Sequence, residues 1–300
     1  MPMLTRQWHY FRPQTLTPVV ARHTSDVTHD LLFARAEAEA ERTLAVHRTI
    51  DEAITTLKHR VGNASTPERL LALTLLMVPQ AARAQAMMDA HRNNFHDRKS
   101  RLFELIDFND TFVATVLALT PAERHEFIEH LRHAMQHFAK KHKTPMFKDG
   151  QFDAIVHGLS REIAVYHAAL REGFDALMTS RTDDAFGVDI QVRDRQTRAY
   201  VNIDIKTHSS YYFRLKVLLR ERRISMDEAN VALETGYCQV MNRKDSIDVP
   251  VIVFRIDHTI LGDITDFEFT SSERIGEKLQ LVLDECGIHD DGYGKSIVPL

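Results

Sequence analysis

Two textures follow each other along the chain. From residue 25 to about 143 apolar positions recur at helical spacing; after Pro145 they shorten into β-branched runs. The first helix is expected to begin behind Thr24-Ser25 and to continue through Val46, Ile50, Ala53, Leu57 and Val61, which fall on one stripe. Gly62-Asn63 stops it. A second starts with Thr66 as cap and Pro67 at its first position, and Pro79 should kink or break it. A third covers roughly 98–119. A fourth opens with Thr120 as cap, Pro121 next and Glu123 closing a capping box, and it ends in a basic run. There is no repeat period and no low-complexity tract.

The second half opens with a helix, "GQFDAIVHGLSREIAVYHAALREG", that stops at Gly173. Three strand-like segments follow, "FDALMTS", "FGVDIQVRD" and "RAYVNIDIKT". A longer helical stretch, in one or two pieces, is expected from Tyr211 to Met241, with Ser225 and Glu228 as a capping box inside it. "VPVIVFRID" reads as an apolar strand, "ITDFEFT" as a further short one, and "ERIGEKLQLVLDEC" as a final helix. The expected organisation is an N-terminal arm (1–24), an all-helical domain (25–148) and an α/β domain (149–300). The fold class is α+β/α/β, with a mixed sheet and the order αβββαβ in the second domain.

The segment "FGVDIQVRDRQTRAYVNIDIKT" reads as a hairpin. Val188, Ile190 and Val192 face one way and Asp189, Gln191 and Arg193 the other; Val201, Ile203 and Ile205 likewise oppose Asn202, Asp204 and Lys206. Burying both apolar sets together requires paired residue numbers that sum to an odd value. A tight turn on Arg195-Gln196 would need positive φ without Gly, Asn or Asp. A four-residue loop, 195–198, is preferred, and it pairs Asp194 with Ala199, Gln191 with Asn202 and Asp189 with Asp204. Two facing carboxylates repel unless something compensates. A divalent cation would, and hard oxygen ligands suit magnesium. Lys206 on the same face can hold a water or stabilise phosphate charge. The same residues also describe a solvated surface pair.

Glu162 lies three residues after Leu159 and four before Tyr166, in or beside the inward stripe of its helix, where an acid needs a partner or a metal. After the acids comes "THSSYYFRLKVLLRERR", the most basic local segment. His208, Arg214, Lys216, Arg220, Arg222 and Arg223, with Tyr211, Tyr212 and Phe213 between them, suit phosphate contact and base stacking. Lys140, Lys141, Lys143 and Lys148 would extend that patch.

The formal charge of −4 argues against a purely electrostatic DNA binder but leaves local patches open. The two cysteines, Cys238 and Cys286, form no CxxC pair and suggest a reducing compartment. The run Leu70 to Val78 is too short to span a bilayer and the first residues contain no apolar leader, so a soluble, cytoplasmic protein without membrane partners is expected. "HEFIEH" lacks the HExxH spacing; His130, His133 and His137 share a helix face that is read as solvated rather than metal-binding.

A helix bearing "SREIAVYHAALREG", a strand, "GVDI", and then "DIK" with fourteen residues between Asp189 and Asp204 resembles the PD-(D/E)XK nuclease superfamily over roughly residues 150–256. The proline of the family name is replaced by Val188. The resemblance implies a restriction-endonuclease-like core and a Mg²⁺- or Mn²⁺-dependent endonuclease that hydrolyses phosphodiester bonds, DNA ahead of RNA. It implies that Asp189, Asp204 and the Ile205 carbonyl hold the metal, that Glu162 assists, and that Lys206 positions the attacking water. The helical half would recognise substrate or a partner subunit, or form a homodimer. The alternative is a non-catalytic module on the same fold that binds nucleic acid or protein.

Overall fold

The computed structural model describes residues 25–90, 95–179, 187–244 and 247–289. The N-terminal arm, residues 1–24, lies outside them. The chain is mixed α+β, largely helical with one five-stranded mixed sheet. It divides into two compact units between Phe152 and Asp153.

In the first unit α1 (Ser25–Ala45), α2 (Ile50–Asn63), α3 (Pro67–Ala90) and α4 (Phe95–Ala118) are followed by the short α5 (Pro121–Arg124) and by α6 (Phe127–His142). The helix α3 is the hub: it packs on α1, α2, α4 and α6 and is buried almost continuously from Leu70 to Ala84. It is long and apolar enough to cross a membrane, and most of that apolar surface is covered by its neighbours. Buried Thr74 and Thr115 share a 3.1 Å hydrogen bond between α3 and α4, and Lys58 pairs with Asp107 at 2.9 Å between α2 and α4.

Three expectations for this unit need correction. The stretch from residue 25 to 61 is not one helix. Val46 is 69% exposed, and Thr49 accepts a hydrogen bond from the Glu52 amide and caps a new helix. Pro79 does not interrupt α3. Its missing N–H costs about 3 kcal/mol in a helix interior, but it sits among buried side chains whose burial contributes about 1.5–3 kcal/mol each. The Thr120 capping box forms, yet it closes only one turn, because Glu126 takes a left-handed conformation (φ 54°) and the helix restarts at Phe127. His130 stacks on buried His29 at 4.7 Å and His137 lies 3.4 Å from Glu37, so these side chains join α6 to α1.

The helix α7 (Asp149–Arg171) runs across the division and leads into the second unit. There β1 (Asp175–Met178), β2 (Ile190–Arg193) and β3 (Tyr200–Thr207) form an antiparallel meander. The helices α8 (His208–Arg220) and α9 (Met226–Thr235) follow. Next come β4 (Tyr237–Lys244) and β5 (Ile247–Ile256), the short α10 (His258–Leu261), the two-residue hairpin of β6 (Ile264–Thr265) and β7 (Glu268–Phe269), and α11 (Glu273–Cys286). The sheet order is β1-β2-β3-β5-β4, with β3 and β5 parallel. Tyr211, Leu215 and Leu218 of α8 pack with Ala229 and Ala232 of α9 over Val240, Val251 and Val253.

The Ser225–Glu228 capping box forms and starts α9. The helix expected to reach Met241 does not: Gly236 ends α9 in a left-handed conformation (φ 78°), and β4 pairs antiparallel with β5. Buried Cys238, Val240 and Asn242 alternate there with exposed Gln239 and Met241, a period of two that marks a strand and takes Gln239 off any helix. The sheet therefore has an edge strand beyond the expected βββ–β set.

Candidate active site

The turn between β2 and β3 decides where the acids meet. Asp194 accepts from the Gln196 amide at 2.7 Å and from the Thr197 hydroxyl at 2.8 Å, Arg198 takes the left-handed residue (φ 63°), and the Asp194 amide donates to the Ala199 carbonyl. The loop is thus 195–198, and the register is the one its length requires: Ile190 faces Ile203 and Gln191 faces Asn202. The ladder proper ends at Ile190. Asp189 lies one residue beyond it and does not form the expected ladder pair with Asp204: its amide donates to the Ile203 carbonyl, one residue short of that register.

Because β3 is parallel to β5, Asp204 shares a face with Val253, and this is the face that α8 and α9 cover. The polar side of β3 is therefore not a solvated surface. Asn202 and Asp204 are each 2% exposed and Asp189 is 8% exposed. The buried amides form a chain: Gln191 donates to Asn202 at 3.0 Å, and Asn202 donates to the Pro250 carbonyl at 3.1 Å.

The two carboxylates turn to one point. Asp204 Oδ1 is ion-paired with Lys206 Nζ, Asp189 Oδ2 lies 3.9 Å from it, and the Ile205 carbonyl accepts from it at 3.3 Å. Asp189 is held in place by the Ile205 amide, which donates to its Oδ2 at 2.5 Å. Burial pushes the Asp204 carboxyl above the ordinary carboxylate range, against the opposing pull of Lys206 and Arg214. Burial also works against the Lys206 ammonium, but Asp189, Asp204 and Glu162 outweigh it and hold Lys206 above the usual lysine value. Glu162, half-buried on α7, thus belongs to the field of the site. Among the described residues no three His, Cys, Asp or Glu side chains gather closely enough to hold a metal by themselves. The acids form a pair, completed by a backbone oxygen.

Gly187 sits where the chain enters this site with φ +76°. A Cβ there would meet Asn242 Nδ2 at 3.5 Å and Asp204 Oδ2 at 3.7 Å, ordinary contacts, so the penalty for a side chain lies in the backbone. Gly187→Ala should destabilise the protein by about 1 kcal/mol and lower its melting temperature by roughly 2–4 °C, read by a thermal melt. An unchanged melt would show that this conformation is not needed.

The basic segment divides by orientation. Thr207 caps α8 through the Ser210 amide and ties the helix to the end of β3. Tyr211 contradicts its assignment as a nucleic-acid contact: it is 0% exposed, its hydroxyl donates to the Ala232 carbonyl at 2.9 Å, and the Arg255 guanidinium lies over its ring. Arg214 turns inward and acts on Asp204. Arg223 is engaged with β4, donating to the Met241 carbonyl and to Asn242 Oδ1. His208 lies 3.5 Å from Asp257 and packs in a tilted arrangement against Tyr212, with ring centroids 4.6 Å apart. Tyr212, Phe213, Lys216, Arg220 and Arg222 are exposed. In the first unit Lys141 pairs with Glu41 at 2.8 Å, while Lys140, Lys143 and Lys148 are exposed.

At the C-terminal ends of the parallel strands β3 and β5 an open cleft of about 510 Å³ is lined by Arg161, Thr207, His208, Ser209, Ile256, Asp257 and Thr259. This is where open α/β sheets take ligands, and the N-terminal residues of α8 form part of its wall. Sequence reasoning missed Arg161 of α7 and Asp257, the latter brought beside His208 by the alignment of β5 with β3.

No family model, no curated protein and no solved structure matches the chain.

Proposed function

We propose that the protein is a Mg²⁺- or Mn²⁺-dependent nuclease that hydrolyses phosphodiester bonds, with DNA ahead of RNA, on a restriction-endonuclease-like core similar to that of the PD-(D/E)XK superfamily. One observation carries the reading. Asp204 Oδ1, the Ile205 carbonyl and Asp189 Oδ2 converge on a single point, marked by the Lys206 ammonium at 3.3 Å from the carbonyl and 3.9 Å from Asp189. These are three hard oxygen donors around a cation, and they fit a magnesium ion that keeps waters or phosphate oxygens as its remaining ligands. A bound dication there would supply a polarised phosphoryl oxygen and an acidified water.

The chain's own groups do the rest. Asp189 and Asp204 hold the site, and Glu162 adds negative field from α7. Lys206 orients a water or a phosphate oxygen. Arg214 balances the phosphate charge from α8, and the start of α8 meets the phosphate through its first amides. Incubation with plasmid and with total RNA, each with Mg²⁺, with Mn²⁺ and with chelator, tests the reading. Metal-dependent cleavage is the expected result, and cleavage that persists in chelator removes it.

A non-catalytic nucleic-acid-binding module is the second reading. The Lys206–Asp204 ion pair favours it, because that pair satisfies both charges without a metal. Cleavage of neither polymer under any metal condition would select it.

A further inference from the structure

We infer that the outer face of α8 is a platform for single-stranded nucleic acid, with Phe213 as the residue that stacks on an unpaired base. This rests on the nuclease reading only for its purpose; the surface itself is argued from the helix.

The inner face of α8 is closed: Tyr211, Leu215 and Leu218 are buried against the sheet and α9. The opposite stripe, at steps of four, three and four residues, is Ser209, Phe213, Lys216 and Arg220, and all four are exposed. Phe213 is 70% exposed, the most exposed large hydrophobic side chain on this unit among the described residues. An apolar ring in that position gains nothing for the fold. The helix "HSSYYFRLKVLLR" contains three basic residues and no acid, in a chain whose net charge is −4. A protein partner of ordinary composition would meet uncompensated lysine and arginine here. A polyanion that also offers flat apolar faces meets both features.

The unpaired state follows from the ring. Inside a duplex the base faces are stacked on one another and closed to a side chain; in a single strand they are open. A strand that meets the start of α8 can lay a base on Phe213 and continue its backbone past Lys216 and Arg220, which follow on the same stripe. Tyr212, held against His208 at 4.6 Å, flanks the same path.

The test is binding of the full chain to fluorescein-labelled oligothymidylate and to a duplex of the same length, in chelator, followed by anisotropy. Wild type should prefer the single strand. Phe213→Ala should weaken single-strand binding roughly ten-fold, since one stacked base contributes about that factor, and leave duplex binding within two-fold (about 0.4 kcal/mol). Phe213→Trp should retain the preference. Replacing Lys216 and Arg220 together by alanine should make the slope of log affinity against log salt shallower by about 0.7 for each phosphate that the two cations neutralise. Phe213 is exposed, so its alanine variant should melt like wild type, and the melt is recorded alongside. Equal effects on both substrates, no effect of Phe213→Ala, or no binding of either oligonucleotide at low salt overturns the platform. Binding as described without cleavage of any polymer upholds the platform and removes only the nuclease reading. Cleavage with Phe213→Ala indistinguishable from wild type in binding removes only the platform.

Discussion

Lys206→Ala should reduce metal-dependent cleavage by about three orders of magnitude, as loss of a group that stabilises transition-state charge does in a water-poor site. The geometry gives the reason. Lys206 reaches both acids, at 3.9 Å to Asp189 and in an ion pair with Asp204. A dication at that point would take the place of the ammonium between the acids, and Lys206, one residue beyond the Ile205 carbonyl on the same strand, would then be free to orient a water or a phosphate oxygen. The loss should fall on kcat rather than on substrate binding, because the exposed cations of α8 are untouched. Lys206→Arg should not rescue, since the planar guanidinium is larger and places its donors differently. Single-turnover cleavage of plasmid, wild type against variant, reads the effect. A variant within a few-fold of wild type would take Lys206 out of the chemistry.

Added Mg²⁺ or Mn²⁺ should stabilise the protein, and Asp204→Asn should abolish that gain. A ligand at a hundred times its dissociation constant adds about 2.7 kcal/mol, which is a rise of roughly 5–10 °C in the melting temperature of a domain this size. In the metal-free protein Asp204 contributes in the opposite direction. Its carboxyl is held above the ordinary carboxylate range by burial, so the folded state binds that proton more tightly than the unfolded chain does. The Asp204 contribution is then favourable at low pH and is lost as pH rises from the ordinary carboxylate range through its folded value. Lys206, also raised, contributes below its ordinary value and loses that contribution only in alkali. At neutral pH Asp204→Asn removes the desolvated carboxylate but also takes from Lys206 its ion-pair partner, leaving it Asp189 at 3.9 Å, and it should abolish the gain from metal. Melts with and without metal at several pH values decide it. No metal gain in wild type, or an equal gain in the variant, would remove the dication from this site.

The parts of the site that were legible share a cause. Register followed from alternation plus a loop whose length the sequence limits, because Arg195-Gln196 cannot supply positive φ cheaply. The caps at Thr66, Thr120 and Ser225 are local, each satisfied within three residues. The break before Ile50 was legible in principle: Thr49 with Glu52 three residues on is a start signal, masked by the apolar stripe that runs through it. Strand β4 was legible likewise, in Gly236 and the alternation of Cys238, Val240 and Asn242.

Other features were not legible at any reading. "SYYFR" offers three adjacent aromatics, and nothing local says that Tyr211 is enclosed while Phe213 is left in water. That depends on how α8 rolls over Val251 and Val253, far along the chain. The continuity of α3 through Pro79 likewise depends on four neighbouring helices.

The sequence by itself determined most of the elements and the hairpin register from Ile190 to Arg193, because these rest on torsional preferences, capping and alternation within a few residues; the way Asp189 leaves that register and still meets Lys206 was decided by the fold. Only the tertiary structure decided that the polar side of β3 is covered, that Arg214 turns inward and Phe213 outward, and that Asp204 bears a desolvated charge. Burial is a property of surfaces brought together from distant parts of the chain, and it is burial that turns two surface-like acids into a site that calls for a cation.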